Sequence, residues 1–167
     1  RYGDPFLEDE PRYTVRLETK PVHIHSETTY IQYVWRVPDE MRERCRGGCY
    51  IVRGELEVPG KTLVHHLGIG GFVQEYTGED GARIDGRWGR LPDFLLMGAS
   101  PGMKVFLRVP EEASLPTQTM DGQPMRSISA YSHYDNPGME NVTAAFAIIF
   151  SYTTAPREHE MGMLHLF

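Results

Sequence analysis

Cysteine is almost missing from this sequence: only Cys45 and Cys49 occur among 167 residues. A chain of this length buries a sizeable core without covalent staples, and one Cys pair without a second of similar spacing excludes a zinc knuckle. Long apolar runs are missing too; the longest, Ala144 to Phe150, is too short to cross a bilayer as a helix. No cluster of Lys and Arg is interleaved with aromatics. Arg42, Arg44 and Arg46 form the densest basic group, Glu40 and Glu43 interrupt it, and the formal net charge is -6. That balance excludes a general nucleic-acid binder. There is no Gly-x-Ser-x-Gly elbow and no Walker-type phosphate loop, and Glu111-Glu112 reads as a solvated loop. The chain begins at Arg1 with neither Met nor a signal-like segment, so a processed or trimmed product is expected.

What is present is strand texture. Arg1 to Arg12 mixes charge, proline and glycine without periodicity and reads as an arm, leaving residues 13–167 as one domain. From Tyr13 onward, short alternating runs are separated by turn residues, and no stretch sustains a helical period. Strands are expected at Tyr13 to Glu18 and at Thr29 to Val37. In the second, Ile31, Tyr33, Trp35 and Val37 share one face, and Gln32 and Arg36 the other. A helical turn at Asp39 to Arg44 follows, then a strand with Tyr50, Val52, Leu56 and Val58 inward. Further strands are expected at Leu63 to Phe72, Phe94 to Met97, Val105 to Val109, Ser127 to Tyr134, Ala144 to Thr153 and Met161 to Phe167. Thr77 to Arg90 and Glu111 to Arg126 read as loops. About eight short strands at this spacing predict an all-β fold, an antiparallel β-sandwich of jelly-roll type. The plentiful Tyr and Trp fit the strand period and read as core.

The chemistry centres on Leu63-Val64-His65-His66-Leu67-Gly68-Ile69-Gly70-Gly71-Phe72. Neighbouring residues of a regular strand point to opposite faces, so two adjacent histidines reach one ion only on an irregular strand. Gly68, Gly70 and Gly71 suggest a bulge or strand end just beyond the pair. The plain alternative is one imidazole buried and the other in water. The best third ligand is His133, in Tyr131-Ser132-His133-Tyr134-Asp135-Asn136-Pro137-Gly138. Three imidazoles with open coordination positions suit copper as a redox centre or zinc as a Lewis acid, and spacing does not choose between them. His23-Ile24-His25, alternating on one strand face, is a second candidate pair; His159 and His165 stand apart. Cys45-Arg46-Gly47-Gly48-Cys49 fits a local disulfide first, free thiols second and a metal third. Asn141-Val142-Thr143 is a glycosylation sequon.

An ordered set of segments resembles a known family. Glu27-Thr28-Thr29-Tyr30 with Arg36-Val37-Pro38 is similar to its opening strand, and Leu63-Val64-His65-His66-Leu67 to its Val-His-His-Met segment. Gly102-Met103-Lys104-Val105-Phe106 and Pro110-Glu111-Glu112-Ala113 resemble the stretch between its ligands. Ser132-His133-Tyr134-Asp135-Asn136-Pro137, Tyr152-Thr153-Thr154 and Met161-Gly162-Met163-Leu164 resemble its His-Tyr-x-Asn-Pro, Tyr-Tyr-Thr and Ala-Gly-Ile-Met segments. The family is the copper type II, ascorbate-dependent monooxygenases, including dopamine β-monooxygenase and peptidylglycine α-hydroxylating monooxygenase. The likeness covers roughly residues 14 to 167 and corresponds to the first domain of the catalytic core. It implies one copper held by His65, His66 and His133, with ascorbate as external reductant. In that family the first copper passes electrons, and a second domain, with two histidines and a methionine, activates oxygen. That half has no counterpart here. Gln32 and Phe72 stand where the family has cysteines, and the turn after His66 is richer in glycine.

Three readings follow. The first is a copper-binding electron-transfer half-site that works with a second copper domain or a partner chain. The second is a noncatalytic secreted module, with a homo-oligomer assembled through the arm Arg1 to Arg12. A zinc hydrolase is the third, and no general base near the tripod is evident. Secretion or an extracellular location accompanies the first two, with no membrane span and no nucleic acid.

Overall fold

Alternation of buried and exposed residues builds the strands. The protein is described by a computed structural model covering residues 4, 6–59, 63–85, 88, 92–99 and 104–161. In chain order the strands are β1 (Tyr13–Glu18), β2 (Val22–Ile24), β3 (Thr28–Arg36), β4 (Tyr50–Glu57), β5 (Val64–Phe72), β6 (Arg83–Ile84) and β7 (Phe94–Ala99). They continue with β8 (Val105–Arg108), β9 (Ala113–Pro116), β10 (Ser127–Asp135), β11 (Val142–Ala144), β12 (Ala147–Thr153) and β13 (His159–Glu160). One short helix, α1 (Asp39–Arg44), follows Pro38 and runs into a 3-10 turn at Cys45–Gly47. Its acidic first turn and basic last turn complement the helix dipole.

Two larger sheets form the all-β sandwich. One runs β1-β12-β4-β9-β13 with β8 also on β4; the other runs β6-β3-β10-β5-β7, and β11-β2 is a separate small pair. All pairings are antiparallel except the two-residue β13–β9 contact. Ile31, Tyr33 and Trp35 of β3, Leu67 and Ile69 of β5, and Ile128, Ala130 and Tyr134 of β10 share a single buried cluster with Ile51, Leu56, Ile148, Phe150 and Tyr152 of the other sheet. The hydroxyls of Tyr33 and Tyr134, both fully buried, bond each other at 2.7 Å, so each polar tip is satisfied inside the core.

The structure adds detail to several expectations and corrects the two predicted loops. Gln32 does face away from the core cluster, yet it is buried, because Trp88 covers it. Its carboxamide accepts from the Trp88 backbone N–H at 2.7 Å and donates to the Trp88 carbonyl at 3.0 Å. Two predicted loops contain strands: β6 lies in the first and β9 in the second, each short and drawn in by pairing with β3 or β4. The expected final strand, Met161 to Phe167, lies outside the described residues beyond Met161. The arm is docked where it is described: Glu10 is buried and makes a two-pronged ion pair with Arg157, at 2.7 and 3.0 Å. Arg157 also donates to the carbonyls of Pro110 and Ala113.

Candidate metal centre

β10 lies at the centre of the five-stranded sheet, flanked by β3 and β5. His133 therefore has a neighbour on each side, Tyr30 across one ladder and His66 across the other. The next pair on the β5 side is Tyr134 with Val64, which leaves His65 as an extra residue. This is a β-bulge, two residues opposing one. It sits at the histidine pair itself, and a second register shift, against β7, falls at Ile69 and Gly70 among the glycines beyond the pair, where the sequence placed an irregularity. The burial pattern reports the same break: Val64 and Leu67 are buried, and His65 and His66 between them are both exposed. A regular strand would have turned one ring into the core; the bulge turns both outward to join half-buried His133.

The three rings converge edge to face. Their centroids are 4.8, 5.0 and 5.2 Å apart, with interplanar angles of 67° to 71°. His66 Nδ1 lies 3.0 Å from His65 Nδ1 and 3.3 Å from His133 Nδ1. Two nitrogens bound to one ion at about 2.0 Å, subtending roughly 90° to 110°, lie about 2.8 to 3.3 Å apart. The spacing is that of ligands. An imidazole nitrogen carries either one proton or one in-plane lone pair, so His66 Nδ1 serves the two ring nitrogens it faces only through a shared contact. A bound cation would take all three lone pairs directly. One nitrogen from each of the three residues lies within 4.8 Å of the others, so the group can hold a metal ion.

Burial and the two neighbouring imidazoles push the His133 pKa below the usual histidine value, against an opposing pull from Asp135. The neutral ring is the form that ligates a metal. Tyr30 lies flat against His133, with centroids 4.5 Å apart and planes 11° from parallel, and fixes the orientation of that ring. The strand period places the tyrosines in the core, but Tyr30 is 52% exposed and Tyr131 50%. Their strand phase was the available signal: with Ile31, Tyr33 and Trp35 inward, Tyr30 falls outward beside the histidines.

The other candidates are not brought to this cluster. His23 is exposed, and its Nδ1 lies 3.2 Å from the Thr143 hydroxyl across the β2–β11 pair. His25 is exposed as well, and among the described residues neither joins a group of three ligand-type side chains. His159 is exposed beside Glu158, and His165 lies outside the described residues. Cys45 and Cys49 form a disulfide that closes the turn after α1. Asn141 is exposed immediately before β11. Among the described residues no helix is long and apolar enough to cross a membrane. Comparison of the chain with protein-family models and with curated proteins gives no match.

Proposed function

We propose that the protein is a copper-binding β-sandwich, the electron-transfer half of a system resembling the ascorbate-dependent copper monooxygenases. His65, His66 and His133 hold one copper, ascorbate is its external reductant, and oxygen activation falls to a second copper domain or a partner chain. Copper, when bound, supplies a one-electron redox couple.

The observation that carries this reading is the convergence of three ring nitrogens on the outer face of a sheet, two of them from adjacent residues at a bulge. All-imidazole donation suits copper or zinc. The exposed rims of His65 and His66 leave coordination positions open to solvent and to a reductant. Tyr30 holds His133 in place and the bulge holds the other two rings, so the donors are preorganised. A hydrolytic zinc site would need a carboxylate base at the open side, and among the described residues no carboxylate joins the group of three. The ordered sequence resemblance selects copper over zinc. The disulfide suits an oxidising compartment, which agrees with secretion.

Metal analysis of protein purified from its native source tests the reading. Copper near one equivalent is expected, with a Cu(II) signal that disappears on adding ascorbate. Zinc as the bound metal, or metal-free protein that takes up no copper, would overturn it.

A further inference from the structure

The outer face of the five-stranded sheet holds a second feature beside the histidines. A groove of about 810 Å³, open to solvent along one side, runs over β5 and β10 and contains none of the three histidines. Its floor is Gly68, opposite Tyr131, and Gly70, opposite Ser129. Gly70 has a packing reason, since a Cβ there would lie 2.6 Å from Pro92. Gly68 has none among the described residues: a Cβ would meet nothing within 4 Å, although glycine is a poor strand residue. A side chain at 68 would fit the fold and fill the floor of the groove.

The walls are aromatic and fixed. Tyr131 stacks on Tyr30 with centroids 5.8 Å apart and planes 19° from parallel, and also lines the groove. Trp88 is pinned by Gln32 through both backbone groups and packs edge-on against Phe72 and Tyr76. Among the described residues the rim carries Arg83 and Asp85, paired with each other at 3.0 Å, so these two offer donors and acceptors whose charges balance.

We propose that this groove binds a neutral, hydroxylated ring, a pyranose unit of an oligosaccharide. The volume suits a ligand of that size. The open side leaves one face of the ligand wet, which favours a ring with one apolar C–H face and a hydroxyl-bearing edge over a wholly apolar one. The C–H face packs on Tyr131 and the hydroxyls reach Arg83, Asp85 and the tyrosine hydroxyls. Among the described rim groups the Arg83–Asp85 pair presents a charged ligand with no excess of either sign. The proposal stands apart from the copper reading, because the groove is complete without a metal.

The test is an amide ¹H–¹⁵N titration of EDTA-treated protein with cellotetraose and with maltotetraose, and with p-cresol as the aromatic comparison. Saturable shifts at Gly68, Gly70, Trp88 and Tyr131 are expected with at least one tetrasaccharide, at least tenfold weaker in Gly68→Val and in Tyr131→Ala. Gly68→Val has room in the strand and gains a β-branched residue, so the fold is kept. No saturable shift with either sugar would overturn the proposal, as would sugar binding unchanged in both variants or p-cresol binding more tightly than both sugars. Copper uptake by the histidines is measured separately, so failure of one reading leaves the other standing.

Discussion

His66 is the residue on which the cluster turns, since its Nδ1 faces ring nitrogens of both His65 and His133. Each imidazole supplies one of three bonds, so His133→Ala is expected to weaken copper binding more than 100-fold by competitive chelator titration. Tyr30 makes no bond to a metal in this account but flattens against His133. Tyr30→Ala is expected to weaken binding about tenfold, the lower end for a residue that orients a ligand, and Tyr30→Phe to restore it. The lowered His133 pKa has a sign that can be checked. The unfolded chain takes up a proton at that histidine near its ordinary value, before the folded chain does. Its contribution is therefore complete above that value and is lost as pH falls through it toward the folded one. Metal-free protein should melt at progressively lower temperature over that window, and His133→Phe should show a shallower dependence.

At the scale of elements, the bulge in β5 and the glycines after it have different jobs. The spacing of the apolar residues carries the bulge: buried Val64, Leu67 and Ile69 fall three and then two apart, a phase slip that strict alternation forbids. The glycines downstream accompany a second register shift, at Ile69 and Gly70 against β7. Gly70 serves close packing against Pro92, so Gly70→Val is expected to cost about 1 to 3 kcal/mol by overpacking, read in urea unfolding. Gly68→Val should be near neutral in the same measurement. The main strands and their inward faces were legible because period-2 burial is a local property. Short β2, β6, β9, β11 and β13 were not, since two to four residues carry too little pattern and only their partners make them strands. Gln32 and Phe72 could not be read as neighbours either. They meet at Trp88, whose backbone pairs with the one and whose ring packs on the other, across 56 residues of sequence in the first case.

Across the whole molecule, the docked arm ties one end of the described chain to the other. Arg157 and Glu10 are 1% and 2% exposed at the side chain, so neither charge has water to fall back on. Removing the carboxylate in Glu10→Ala is expected to destabilise the fold by about 3 kcal/mol, measured by urea unfolding, because a buried guanidinium loses a two-pronged, charge-assisted partner. This contact was invisible in the sequence: 147 residues separate the partners, and an acidic residue in a Pro-rich, charged stretch reads as solvated. The candidate site was more legible than that, since the chemistry of histidine is narrow and two of the three stand side by side in the sequence. What spacing could not supply was the register of β10 against β5, which sets His133 beside His66.

Copper titration of the purified, metal-stripped protein, followed by electron paramagnetic resonance, tests the central claim most directly. The account predicts one Cu(II) per chain with nitrogen hyperfine splitting, removed by ascorbate and lost in His65→Ala, His66→Ala and His133→Ala alike. Copper bound equally well by His133→Ala, or bound with no nitrogen splitting, would contradict it.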